Sequence, residues 1–598
     1  MDRKAIIVVS LCVVLLGLWW AVIEPKLAPP RPATTGNTVT NGAVVGTLTN
    51  GSNVSVQLEQ AVQMAQSMTR PLVNSNVPEQ LLVITNDDVR YTFSSYGGGL
   101  KLVEFLGPQV FFHETIPSWR NKRTSTGVAS LNTYTPSPTL AILDGAEVQG
   151  DGVFTLTNTG VVVRAEKTLT NGLTIVKEFT PTTNYLVDAT VRLENHSQKP
   201  LALPEQEWTV GTATPMNPDD RGLYGSIGVM WSDADKARDM SGAGYFSTRG
   251  FACMPRTPPP EVRAGQTNVT WAAVHNQFFA LVVVAKDPAK EVVMRKVDLP
   301  ELKDETTPMY SSNGFPAALV YPALTLNANS SLQRQFVIYA GPKEYRTLAN
   351  VASSLNNNLD AVMNFGWFSG FFAKALLLVM NFFHSVLRVP YGWAIVVITV
   401  ILRVAFWPLT ASSTRSMKKM QLLQPQIKGI QEKYKDDPMK VQKKTMELWK
   451  ENKVNPMGSC LPAVVQMPVF FGFYAMLRSA IELRGAHFLW VPDLSKPDTL
   501  FLIPGTGFPF NLLPLLMVGV MLWQSHLQPP SPGMDPGQQR IMRYMPAIFL
   551  VWLYSYSSGM ALYMFVSTLL GIVQTKMTKM QQTAPATPAL TPPPKKKK

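Results

Sequence analysis

One arginine, Arg403, lies inside the strongly apolar stretch IVVITVILRVAFW at residues 395–407. A guanidinium within hydrocarbon costs on the order of 3 kcal/mol on insertion scales, so a residue of this type in a membrane span usually has a function. Thr399 precedes it by four residues and would share its helix face, which adds polarity there. The alternative is that Arg403, about a turn and a half from the end of the stretch, extends its side chain to the interface.

The chemistry available to such an arginine is electrostatic, and its setting decides whether the charge is exposed. No carboxylate falls at the middle of another apolar stretch; Glu482 comes near the end of one. An arginine without such a partner among membrane helices must face water. The sequence therefore predicts a hydrated cavity that can receive polar or acidic parts of another polypeptide.

Six apolar stretches predict the helices that would hold this cavity, and the charges beside them predict their orientation. The predicted spans are residues 5–23, 392–409, 461–483, 510–527, 541–556 and 559–575. Arg3 and Lys4 place the N-terminus in the cytoplasm. The loop 411–461 carries eleven Lys and Arg against five acidic residues, so it should also be cytoplasmic, as should the tail from Lys576 onward.

Composition along the chain divides it into segments. The expected fold is a polytopic α-helical membrane protein of six transmembrane helices with a large extracytoplasmic β-sandwich domain, since residues 81–345 show short β-rich runs and a Thr170-Asn171-Gly172 hairpin signal. We expect the segments to be a signal-anchor span (1–23), a flexible linker (24–80), the β domain (81–345), a connecting and amphipathic interfacial helix (346–390), the second span (391–410), a basic helical hairpin (411–460), spans three to six (461–575) and a basic tail (576–598).

Other function classes lack a supporting pattern. His113, His196 and His275 stand in no motif-like arrangement, and the sequence contains neither a phosphate-binding glycine loop nor a metal-ligand cluster. We therefore expect no catalytic residue, no metal and no cofactor. The net charge of +14 gathers beside apolar segments, where it indicates orientation more than nucleic-acid binding. A small-solute transporter would be expected to show internal repeats, and none is convincing here.

The run NPMGSCLPAVVQMPVF at residues 455–470 closely resembles the third-span signature of the YidC/Oxa/Alb insertase family. The Pro408-Leu409 pair after the arginine, the Met-rich basic hairpin, the run QRIM at 539–542 and Ser558-Gly559 with Leu562-Tyr563 are also similar to that family. The resemblance covers about residues 365–579. The long β-rich first loop is similar to the Gram-negative branch, in which it adopts a supersandwich.

The resemblance implies a groove that is closed toward the outside and open to the cytoplasm and lipid, with Arg403 as its positive charge. Thr399, Gln466 and Tyr563 would line it. Apolar faces of the third and fifth spans would form a hydrophobic slide for the substrate's span, although ordinary helix packing is the alternative for each residue; its members would be Phe470, Phe473, Met476, Met545, Phe549 and Trp552. Relatives can have a second aromatic after Tyr563, where this chain has Met564.

The resemblance also implies a function and partners. The chain would insert, fold and help assemble integral proteins of the Gram-negative inner membrane, alone or with the Sec translocon. Its large domain would be periplasmic. Its partners would be nascent membrane proteins, Sec components, the lipid bilayer, and the ribosome or signal recognition machinery through the hairpin and tail.

Overall fold

The computed structural model describes residues 73, 76–106, 113–114, 127–132, 137–143, 146–215, 227–233, 236–246, 257–265, 268–299, 313–366, 369–408, 410–411, 419–420, 422–434, 437–452, 461–504, 508–527 and 536–580. These residues fall into two compact units, a β-rich one that ends at Met363 and a helical one that begins at Asn364. The predicted first span, most of the linker and the tail beyond residue 580 lie outside the described residues.

The β-rich unit is built of antiparallel strands in stacked sheets. Nine strands form the largest sheet, in the order β14-β13-β16-β17-β22-β10-β9-β8-β7. A five-stranded sheet has the order β12-β20-β18-β15, with β19 paired to β20, and a four-stranded sheet has the order β1-β2-β3-β6. The strands are β1 Leu81–Thr85, β2 Val89–Ser94, β3 Gly99–Phe105, β4 His113–Glu114, β5 Gly127–Val128, β6 Ser130–Leu131, β7 Thr155–Thr159, β8 Val162–Thr168, β9 Leu173–Pro181, β10 Leu186–Asn195, β11 Leu201–Leu203, β12 Gln206–Ala213, β13 Gly228–Ser232, β14 Ala237–Ser241, β15 Glu261–Ala264, β16 Val269–His275, β17 Phe279–Ala289, β18 Glu291–Arg295, β19 Val297–Asp298, β20 Asn313–Tyr321, β21 Leu324–Leu326 and β22 Ser331–Pro342.

Alternation of apolar and polar residues explains these strands. In β10 every second residue is buried, as expected of a strand with one face on the core. The turn at Gly172 has φ +85° and joins β8 to β9, a backbone conformation that glycine adopts without a steric penalty. Trp208 of the five-stranded sheet packs on Phe336 of the nine-stranded sheet with ring centroids 5.4 Å apart. The predicted β-sandwich is therefore confirmed.

The helical unit contains two β-strands and eight helices among its described residues. The helices are α4 Gly370–Ser385, α5 Tyr391–Ala405, α6 Gln424–Lys433, α7 Pro438–Glu451, α8 Leu461–Ser479, α9 Leu512–Leu527, α10 Pro536–Leu553 and α11 Ser558–Met580, after α1 Ala146–Gln149, α2 Gly242–Tyr245 and α3 Tyr345–Ser354 of the first unit. The strands are β23 Thr499–Leu502 and β24 Pro509–Asn511. Short 3-10 helices span Leu359–Met363 and Ile481–Leu483.

Within the described part of the chain, α11 alone is long and apolar enough to cross a membrane by composition; α4, α5 and α9 are apolar but shorter. The count of six spans therefore stays a prediction.

Helix α4 buries a face that matches its sequence pattern only in part. Helical spacing puts Leu376 and Val379 on an apolar face with Asn381 opposite. Leu376 is buried as expected, but Val379 is 41% exposed and Asn381 is buried. The reason is a polar partner on a distant segment, since Asn381 Nδ2 donates to Glu482 Oε1 at 3.0 Å. The hydrogen bond gives the buried amide nitrogen an acceptor, which lets Asn381 share a buried face with leucine.

The basic segment after α5 folds back on itself. Helices α6 and α7 enclose a small apolar cluster of Met420, Leu423 and Ile427 with Leu448 and Trp449. Asp437 caps α7 by accepting a hydrogen bond from the Lys440 amide at 3.1 Å, which satisfies one of the free donors at a helix start.

Candidate functional site

Arg403 is presented by the last turn of α5, where its guanidinium reaches a residue of the final helix. Its Nε and Nη2 donate to Ser567 Oγ at 3.1 and 2.7 Å. Ser567 is 6% exposed and Arg403 is partly buried. No ion pair among the described residues includes Arg403, so a hydroxyl oxygen holds the charge without neutralising it. Ser567 is a partner of the arginine that the sequence did not suggest.

A second hydrogen bond lies one helical turn earlier on α11. Gln466 of α8 donates from Nε2 to Tyr563 Oη at 2.6 Å. The Tyr563 ring also stacks on Phe473, with centroids 4.2 Å apart and planes 17° from parallel. Two of the predicted groove residues, Gln466 and Tyr563, are thereby brought together.

Glycine at position 571 leaves room beside the guanidinium for a fourth helix. A Cβ atom on Gly571 would lie 2.8 Å from Gln524 Nε2 of α9 and 3.7 Å from Nη1 and Nη2 of Arg403. We call Arg403, Ser567, Tyr563, Gln466 and Gln524 the arginine cluster. It joins α5, α8, α9 and α11 and contains one formal charge among hydroxyl and amide groups.

The polar residues of α11 form a row along one face of an otherwise apolar helix. Tyr563, Ser567 and Gln574 are separated by four and seven residues, a spacing that puts them on the same side. Gln574 donates to Thr410 Oγ1 and, at 3.4 Å, to the carbonyl of Trp407. The sequence analysis missed Ser567 and Gln574, although polar residues at this spacing within an apolar helix are a readable signal.

Thr399 lies on α5 one turn before Arg403, as its spacing requires. It is 1% exposed, and its hydroxyl donates to the Ile395 carbonyl at 2.6 Å. A serine or threonine that bonds to its own helix in this way satisfies its donor locally.

The six residues predicted for the hydrophobic slide occupy different environments. Phe473 and Met476 are fully buried, Phe470 is partly buried and Met545 is 45% exposed. The side chains of Phe549 and Trp552 lie outside the described ones. Among the described side chains of α8, the large exposed apolar ones are instead Met467 and Phe471, at 52% and 39% exposure.

Comparison with known proteins identifies the class. A family model described as a 60Kd inner membrane protein matches residues 382–585, and one described as the YidC periplasmic domain matches residues 81–379, half of the chain. A helical body of the first kind joined to a β-sandwich of the second defines an inner-membrane protein with a periplasmic domain. The chain belongs to the YidC family, and the resemblance that its motifs suggested is confirmed.

Some relatives match along nearly the whole chain, and others match along about half of it. Membrane protein insertase YidC of Laribacter hongkongensis is 29% identical over 96% of this chain and 97% of its own length. The protein of the same name from Syntrophobacter fumaroxidans is 38% identical over 51% of this chain and 53% of its own length. A crystal structure of an active YidC insertase with its first transmembrane domain resolved matches with a TM-score of 0.32 and 16% identity, over 89% of this chain and 99% of that one.

Proposed function

We propose that this protein inserts nascent membrane proteins into the inner membrane, with the arginine cluster as the polar part of a groove that receives them. The observation that supports this proposal best is the contact between Arg403 and Ser567. A carboxylate at that position would cancel the charge, whereas a hydroxyl leaves most of it available to an incoming acidic group. The names of the relatives, membrane protein insertase, support the same activity.

The cluster would act by lowering the cost of moving polar groups into the bilayer. Acidic residues in a substrate's external tail would be attracted to Arg403, and the Gln466, Gln524 and Tyr563 side chains would supply further hydrogen-bonding groups. The substrate's apolar helix would then enter lipid, and its burial would supply the free energy, aided by the membrane potential. No catalytic residue, cofactor or metal takes part in this scheme.

The exit path proposed for the substrate follows α8 and α10. Phe470 and Met545 have exposed area in the present conformation. Phe473 would contribute only if Tyr563, which stacks on it, moved, and Met476, which is fully buried, only if its neighbours moved. Phe549 and Trp552 complete the proposed set.

The proposed topology has six spans, a cytoplasmic N-terminus and a groove open to the cytoplasm. The hairpin of α6 and α7 and the tail 576–598 would meet the ribosome or signal recognition machinery, and the Sec translocon would share some substrates. Exposed lysines on α7, among them Lys440, Lys443 and Lys444, support an acidic partner. Assistance in folding and assembly would follow from holding spans before their release.

Charge selectivity tests the role of Arg403. We expect Arg403→Leu to reduce the insertion of a substrate with an acidic external tail more than that of the same substrate with a neutral tail, measured by protease protection of the tail in proteoliposomes. Arg543→Leu is the matched control, because Arg543 is an exposed arginine of α10 outside the cluster. Equal losses for both tails would refute the attraction of charges while leaving the insertase activity standing.

Photocrosslinking tests the activity class itself. A photoreactive residue at position 399, 403 or 470 should form adducts with ribosome-bound nascent chains of membrane proteins. Because Thr399 is buried, position 470 should give the stronger adduct of these two. A transporter of small solutes would give none at any of the three positions.

A further inference from the structure

The segment between α8 and α9 ends in a β-hairpin, and the exposed side chains among its described residues are apolar. Strands β23 and β24 pair Phe501 with Phe510 and Leu502 with Pro509. The sequence from 499 to 511, TLFLIPGTGFPFN, contains no ionisable side chain. The side chains that it leaves open to solvent are large, namely Phe501, Leu502, Ile503 and Phe508, which are 49%, 47%, 38% and 51% exposed. A hairpin adapted to water would present polar residues on its open face.

The described polar side chains of the hairpin, Thr499 and Asn511, are instead at its buried base. The hydroxyl of Thr499 donates to Asn511 Oδ1 at 2.7 Å. Asn511 donates from Nδ2 to the Tyr554 carbonyl at 2.7 Å, and the Tyr554 hydroxyl donates to the Pro509 carbonyl at 2.7 Å. These bonds fix the hairpin on the end of α10, so its apolar part is held outward by a rigid base.

Aromatic packing stiffens the exposed part as well. Phe501 stacks on Phe510 with centroids 4.9 Å apart, and Phe508 stacks on Tyr554 at 5.2 Å. Little conformational freedom would therefore be lost when this surface meets a partner.

A second exposed apolar site, formed by Leu489 and Trp490, lies earlier in the same segment. Leu489 is 57% exposed and Trp490 is 38% exposed, and the Trp490 indole donates from Nε1 to Asp498 Oδ2 at 3.1 Å. The polar edge of the ring is thus satisfied within the protein while part of the ring is open. Tryptophan in this arrangement is enriched where a protein meets the boundary between lipid and water.

We propose that the hairpin and the Leu489–Trp490 site insert into the interfacial region of the outer leaflet and anchor this segment in the bilayer. The hairpin offers no charged side chain for pairing with a protein partner. It is also continuous along the chain with α9, which starts at Leu512 directly after β24 and exposes Leu516. The proposal depends on α9 being a membrane span, as the proposed function holds.

Binding of this segment to lipid would affect the position of the arginine cluster through α11. The backbone amides of Ser558 and Gly559, the first residues of α11, donate to the carbonyls of Lys496 and Leu494 at 2.8 and 2.9 Å. The anchored segment therefore lies against the start of the helix that carries Tyr563 and Ser567. Seating it in lipid would fix the depth of the cluster.

Depth-dependent fluorescence quenching tests the proposal on the full chain. The three native cysteines are first removed by Cys12→Ser, Cys253→Ser and Cys460→Ser. One cysteine is then introduced by Phe501→Cys, Leu502→Cys or Phe508→Cys and labelled with the fluorophore NBD. It is reconstituted in liposomes of phosphatidylethanolamine and phosphatidylglycerol. We expect blue-shifted emission, quenching by lipids brominated near the headgroup and protection from aqueous iodide.

Two control positions separate the proposal from the topology on which it rests. Val161→Cys, 59% exposed on the β domain, should be quenched by iodide and not by lipid. Leu516→Cys on α9 should be quenched by lipid. If position 516 is in lipid while the hairpin labels are quenched by iodide, the anchor is refuted and the span stands. Hairpin labels protected from both quenchers would show a protein occupant and also refute it, and a water-exposed position 516 would refute the span and the anchor together.

Discussion

Ser567→Ala removes the single oxygen that accepts both hydrogen bonds from Arg403. Hydrogen bonds to charged groups contribute about 1.5–3 kcal/mol in soluble proteins, but polar contacts between membrane helices average about 0.6 and reach about 1.7 kcal/mol. Arg403 is partly buried and makes two short contacts, at 3.1 and 2.7 Å. We therefore expect a coupling free energy of about 1 kcal/mol between positions 403 and 567, toward the upper part of the membrane range.

A double-mutant cycle measures this coupling. The wild type, Ser567→Ala, Arg403→Leu and the double variant are unfolded reversibly in mixed micelles, and their free energies of unfolding are compared. Thr568→Ala is the matched control, because Thr568 lies beside Ser567 on α11 but its hydroxyl donates to the Met564 carbonyl of its own helix at 2.7 Å. Combined with Arg403→Leu, it should show additive effects.

Additivity within about 0.5 kcal/mol for the 403 and 567 pair would refute the contact, since unconnected sites agree to that margin. The two variants should also differ in the insertion assay, because Ser567→Ala keeps the positive charge of Arg403. Ser567→Ala should therefore preserve the preference for substrates with acidic tails, which Arg403→Leu should abolish. Loss of that preference in both variants would mean that the position of the guanidinium matters as well as its charge.

Two further predictions concern packing and pH. Gly472→Ala should lower the midpoint of thermal unfolding, at a cost of about 1–3 kcal/mol for overpacking, because the added Cβ would lie 2.6 Å from Cβ of Phe372 on α4. Gly519→Ala is the control and should be neutral or stabilising, because an added Cβ there would have nothing within 4 Å. Equal effects of the two substitutions would contradict the close approach of α4 and α8. Burial and then the neighbouring Lys343 ammonium lower the pKa of His275, against the opposing effect of Asp239. Between that lowered pKa and the ordinary value near 6.5 the unfolded chain binds more protons, so the free energy of unfolding of the β domain should rise with pH and fall on acidification. His275→Gln should weaken this dependence of the free energy of unfolding on pH, measured by urea titrations followed by tryptophan fluorescence. His196→Gln, at an exposed position, should leave the dependence unchanged. If the dependence is also unchanged in His275→Gln, His275 is not its source.

Features that depend on local chemistry could be predicted from the sequence. Short β-rich runs and a hairpin signal predict strands from local preference, and they located the β domain. The Asp437-Pro438 pair marks the start of α7 because aspartate caps a helix and proline fits its first turn. The apolar run around Arg403 showed a charge that needs a polar environment, since the cost of burying a guanidinium does not depend on the fold.

Contacts between distant helices required the tertiary structure. Arg403 and Ser567 are 164 residues apart, and which hydroxyl meets the guanidinium depends on how α5 and α11 are rotated and crossed. Similarly, the burial of Asn381 depends on its hydrogen bond to Glu482, and the burial of Phe473 depends on the stacked ring of Tyr563. The sequence by itself determined that a positive charge lies within an apolar helix and that a β domain accompanies it. The packing of helix faces decided that a hydroxyl of α11 accepts hydrogen bonds from that charge, because helix rotation follows from the summed fit of many side chains and not from any local pattern.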